Sequence, residues 1–166
     1  MFKTILLTIA VAAILPGSGR NAIAEPLDLS QFQWKNRLLF LFAPNPNHPL
    51  FKPLHKSLEA QKPLAADRDL VIFTILESGP SSMNTKYLDP QAAQKLRDKF
   101  DVQTGRFAVI LLGKDGGIKL NRRVSTQLTD IFALIDAMPM RLEEMRQKKR
   151  LGESDTAGPN KSGDIE

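Results

Sequence analysis

Apolar residues fall along this chain in two rhythms, and the switches between them mark out the elements. Arg37 is followed by Leu38-Leu39-Phe40-Leu41-Phe42, an unbroken run of the kind carried by a central strand covered on both faces. Pro44, Pro46 and Pro49 end it, because proline suits neither a strand nor a helix interior, so 43–49 reads as a stiff loop. Leu50, Phe51, Leu54 and Leu58 then recur at helical spacing, and Pro63 closes that pattern. Asp69 to Glu77 gives a second buried strand, while the Gly, Pro, Ser and Asn content of 78–88 reads as loop. Asp89-Pro90 supplies an N-cap followed by proline at the first helical position, and the helix to Phe100 turns Ala93, Leu96 and Phe100 to one face. Phe107 to Leu112 is a third apolar run. Gly113-Lys114-Asp115-Gly116-Gly117 predicts a hairpin turn, since glycine takes positive φ without steric cost. Ile118 to Val124 alternates as a half-exposed outer strand should. Ser125 is placed as the N-cap of a last helix with Leu128, Ile131, Phe132 and Ile135 on its apolar face. Pro139 predicts a bend there, with a second segment at 140–149.

The resulting order, β-α-β-α-β-β-α, is the thioredoxin arrangement: an α/β, three-layer sandwich around a four-stranded mixed sheet, with a C-terminal helix kinked at Pro139. Residues 25–150 form that domain, and the lead-in 25–35 offers Leu29, Phe32 and Trp34 to pin it to the core. Ahead of it, Lys3, the apolar run from Ile5 to Leu15 and Ala22-Ile23-Ala24 read as a cleavable signal peptide, residues 1–24, cut between Ala24 and Glu25. The run is well short of the roughly 20 residues a membrane span needs. The expected location is the periplasm or the cell exterior. Residues 151–166 hold almost no large apolar residue and read as a disordered tail.

The chain has no cysteine. Disulfides, thiol nucleophiles and thiolate metal sites are therefore excluded, and thiol-disulfide exchange and thiol peroxidation with them. Its formal net charge is +5. The basic residues concentrate in the body, and Glu153, Asp155, Asp164 and Glu166 make the tail mildly acidic. An anionic partner suits such a body. Nucleic acid does not suit an exported protein whose basic residues lack interleaved aromatics.

Four strings, WKNRLLFLFAP, RDLVIF, FAVILLGKDGGIKL and IDAMPMRLEEM, resemble the domain-of-unknown-function family 4174, also called the DUDES family. It has exported bacterial members and extracellular matrix relatives in animals. The resemblance spans about 29–146. It implies a thioredoxin-like fold related to peroxiredoxins and carries no established activity.

In thioredoxin-like enzymes the reactive cysteine follows the first strand, where a helix N-terminus lowers its pKa. Here that place holds Asn45 and His48, which with Arg106 across the sheet form a candidate non-thiol pocket. His48 and His55 lie seven apart, a spacing without a second ligand pair, so no metal is expected; nor is a cofactor or a catalytic residue assigned. Lys114, Lys119, Arg122, Arg123 and Arg141 are the candidate anion- or partner-binding set, extended by basic residues at 146–150. Asp136 is placed to pair with Arg141, and Met138 and Met140 to plug gaps beside the sheet. The expected role is a non-redox binding or adaptor module of the cell envelope, for an envelope protein or an anionic polymer. The alternative is an enzyme of thioredoxin ancestry using the loop after the first strand.

Overall fold

The computed structural model describes residues 27–156. The signal-peptide segment and residues 157–166 lie outside them. Strand β1 (Arg37–Ala43) is central, with β2 (Leu70–Leu76) parallel on one side and β5 (Ala108–Leu112) antiparallel on the other. β6 (Ile118–Arg122) pairs antiparallel with β5 through the glycine turn, where Gly116 has a φ of 78°.

This four-strand core matches the expected order, but the sheet has six strands rather than four. Residues 78–88 are not all loop. They hold a short hairpin, β3 (Ser81–Met83) and β4 (Lys86–Leu88), which extends the sheet as β4-β3-β2-β1-β5-β6. Asn84 turns it with a φ of 51° and bonds back to Ile72 through both its backbone N–H, 2.6 Å, and its Oδ1, 2.8 Å.

Period-two alternation divides the sheet's side chains between two cores. Leu39, Leu41, Val109 and Leu111 pack under α1 (Phe51–Ala60), α2 (Lys62–Asp67) and α4 (Leu128–Asp136). Leu38, Phe40, Phe42, Phe73 and Ile110 pack under α3 (Pro90–Lys99) and the short 3-10 turn Leu29–Phe32. Three layers result. Pro63, expected to end a helix, also stands in the first turn of α2, where its missing N–H costs nothing. Asp89 caps α3 by accepting from Gln91 and Ala92 N–H.

Two expectations at the ends change. Trp34 does not enter the core: it is 64% exposed at a φ of 64°, and its backbone N–H donates to Lys114 O at 2.6 Å. The kink at Pro139 is a full break, with α4 ending at Asp136 and α5 (Pro139–Thr156) starting on the proline itself. α5 takes in 151–156, the first part of the stretch read as tail.

Candidate functional site

The loop after β1 satisfies its own polar groups. Asn45 Oδ1 accepts from Asn47 N at 3.0 Å, and His48 Nδ1 accepts from Leu50 N at 3.3 Å. The His48 ring stacks on Phe107, centroids 5.6 Å apart, which brings the loop beside exposed Arg106. An imidazole whose Nδ1 accepts a backbone N–H and whose face lies on a phenyl ring is held in place, and among the described residues no carboxylate orients it as a general base.

The basic set divides. Arg122 and Arg123 are exposed on and just after β6, and Arg123 donates to Asp101 O at 3.0 Å. Lys119 folds onto Asp115 at 2.7 Å. Arg141 leaves the set: its side chain is 3% exposed and engages Asp67 and Asp136. Lys114, 10% exposed, is likewise taken up by Asp69 and Glu144, both at 2.8 Å.

These two cations belong to a part-buried ionic network at the amino ends of β1 and β2. Arg37, 1% exposed, donates to both Glu144 oxygens at 3.0 and 3.2 Å and to Arg68 O at 3.0 Å. Arg68 pairs with Asp136 and lies 4.3 Å over the Phe132 ring. Arg141 joins Asp136, 3.2 Å, to Asp67, which also takes Lys148. Burial pushes the Glu144 carboxyl up, but bonds from Arg37 and Lys114 outweigh it and hold the group below its ordinary value. Lys148, then Arg141, hold Asp67 low. Burial works against the charge of Arg141, yet its carboxylate partners raise its pKa.

Each string that carries the family resemblance contributes to this one network. Arg37 comes from the first string, Arg68 and Asp69 from the second, and Lys114 from the third. Asp136, Arg141 and Glu144 come from the fourth. Five cations meet four carboxylates, so the cluster is nearly neutral and mutually paired. Its arrangement fastens α5 and the hairpin turn to the sheet.

Sequence reasoning missed Arg97. It sits on the buried face of α3, 4% exposed, and Nη2 donates to Ala43 O and Ile75 O at 3.0 and 3.1 Å, tying the carboxyl ends of β1 and β2. Helical spacing held the signal, since position 97 is four after Ala93 and three before Phe100. Among the described residues no group of three or more His, Cys, Asp or Glu side chains could hold a metal ion, and no helix is long and apolar enough to cross a membrane.

The strand order and the helix layers define a thioredoxin- and peroxiredoxin-like α/β protein. A reduced 2-Cys peroxiredoxin of Plasmodium vivax superposes with a TM-score of 0.53 at 15% identity, over 69% of this chain and 84% of that one. Thioredoxin peroxidase I of Plasmodium yoelii gives 0.51 at 15% identity, over 83% and 85%. Identity so low speaks for the fold alone. By sequence the chain belongs to the DUF4174 family, a domain of unknown function, matched over residues 28–144. Coiled-coil domain-containing protein 80 of Danio rerio is 23% identical over 140 residues, 75% of this chain but 16% of that protein.

Proposed function

We propose that the chain is an exported, thiol-free binding module of the cell envelope that holds an acidic partner, an envelope protein or anionic polymer, along its β6 edge. The observation that carries this reading is the composition of that edge. β6 pairs only with β5 among the described strands; exposed Ile118 (56%) and Arg122 stand at its two ends, and exposed Arg123 and Val124 (61%) follow it directly. An open strand edge offers main-chain hydrogen bonds to an extended segment, and the arginines favour one that carries acids. The absence of cysteine supports a role without thiol chemistry. The tethered His48 favours binding over the enzyme alternative at Asn45, His48 and Arg106.

Crosslinking in the native envelope, followed by mass spectrometry, is expected to capture a reproducible partner through Lys119, with the captured chain beginning at Glu25. Arg122→Glu with Arg123→Glu should cut capture by about tenfold or more, and added salt should do the same. Capture indifferent to both the charge reversal and salt would remove the β6 edge from the reading.

A further inference from the structure

Arg97 lines a cleft at the carboxyl ends of β1 and β2. The cleft has a volume of about 400 Å³, and Glu77, Ser81, Tyr87, Gln94 and Thr104 stand around it. Sites for small organic ligands run to roughly 300–1,000 Å³, and open α/β sheets take their ligands outside the carboxyl ends of the strands.

One N–H edge of the buried guanidinium is not satisfied. Nη2 serves two strand-end carbonyls, but Nη1 has no hydrogen bond. Glu77 Oε1 lies 3.1 Å from Nη1, near enough to balance its charge and misdirected for a bond. That oxygen instead accepts from Gly105 N at 2.8 Å. Burial lowers the pKa of Arg97, and the attraction of Glu77 offsets only part of this. A buried cation left with one open donor calls for a better placed oxyanion.

We propose that this cleft binds a small hydroxylated carboxylate about the size of a sugar acid, whose carboxylate takes Arg97 Nη1 in place of Glu77. Glu77 acts as the resident stand-in. Its side chain is 22% exposed and directly follows β2, so it can turn to water when a ligand arrives. Exposed Gln94, whose Nε2 donates to Asp98 Oδ1 at 2.8 Å, offers its amide oxygen, and exposed Thr104 its hydroxyl, to the ligand's own hydroxyls. Tyr87, 69% exposed, gives a flat apolar face for the C–H side of a ring. The site stands apart from the β6 edge.

Titration of the labelled protein with D-glucuronate, followed by amide chemical shifts, tests this. The amides of Glu77, Gly79 and Gly105 should move, with D-glucose at least about tenfold weaker because it lacks the charge. Glu77→Gln removes the internal competitor and should tighten binding by about three- to tenfold, a gain that a purely structural Glu77 would not give. Tyr87→Ala, at an exposed position, should weaken binding without unfolding the chain. The proposal is overturned if these amides stay still in both the wild type and Glu77→Gln, if glucose matches glucuronate, or if Glu77→Gln weakens binding. Shifts confined to the β6 hairpin would also overturn it while supporting the edge reading.

Discussion

Glu144→Ala is expected to lower the unfolding free energy by about 3 kcal/mol, the low end for removing one partner of a buried ion pair. The low end applies because the Glu144 side chain keeps 21% of its exposure. The variant strands Arg37, 1% exposed, whose carboxylate partner is Glu144; Lys114 keeps Asp69. For a domain of this size the change amounts to a fall in Tm of about 10 °C by scanning calorimetry. A loss under about 1 kcal/mol would mean that α5 is held by something other than this network. The same groups set an acid limit. Glu144 and Asp67 both sit below their ordinary values of 4.5 and 3.8 in the fold. Their stabilisation is therefore complete above those values and is lost as pH falls through the folded ones. Wild-type stability should stay level from neutrality to about pH 5 and drop below about pH 4, with a shallower drop in Glu144→Ala.

Phe40→Ala should cost about 3–5 kcal/mol, read from urea unfolding. Phe40 is fully buried on the central strand, stacked on Phe73 at 4.7 Å and tilted against Phe100 at 4.8 Å. Deleting the ring removes its own transfer energy and leaves a hole between β1, β2 and α3, which cannot close while the strand register is held. Trp34→Ala, a larger deletion at a 64% exposed position, should change stability by no more than about 0.5 kcal/mol. A near-equal cost for the two variants would remove the aromatic cluster from its central place.

The strands of the core were legible because burial on both faces leaves unbroken apolar runs, as in 38–42 and 107–112. The β3–β4 hairpin was not, because three-residue strands carry no run and little alternation; Asn84, apt for positive φ, was its one local cue. The charged residues divide in the same way. Arg122 and Arg123 lie exposed, as basic residues on an outer strand are expected to. Arg97 and Arg141 are buried, and Lys114 half-buried, because carboxylates and carbonyls distant in the chain meet them. That convergence is a tertiary fact, and a string of charges gives no sign of it. The Asp136–Arg141 pair was legible, being local and set by the break at Pro139.

The ionic fastening of α5 has a thermodynamic consequence. Met140, Leu142 and Leu151 of this helix are already 40%, 39% and 67% exposed, so freeing it from the sheet would wet less hydrocarbon than freeing one of the core helices. Heat-capacity increments and urea slopes follow the surface newly exposed, and polar surface opposes apolar in the former. Loss of α5 would thus move both quantities less than loss of a core helix, whereas acid would act on it directly by protonating Asp67 and Glu144. The helix and the sheet it closes respond to different solvent variables, and the helix can let go while the aromatic layer beneath α3 remains intact.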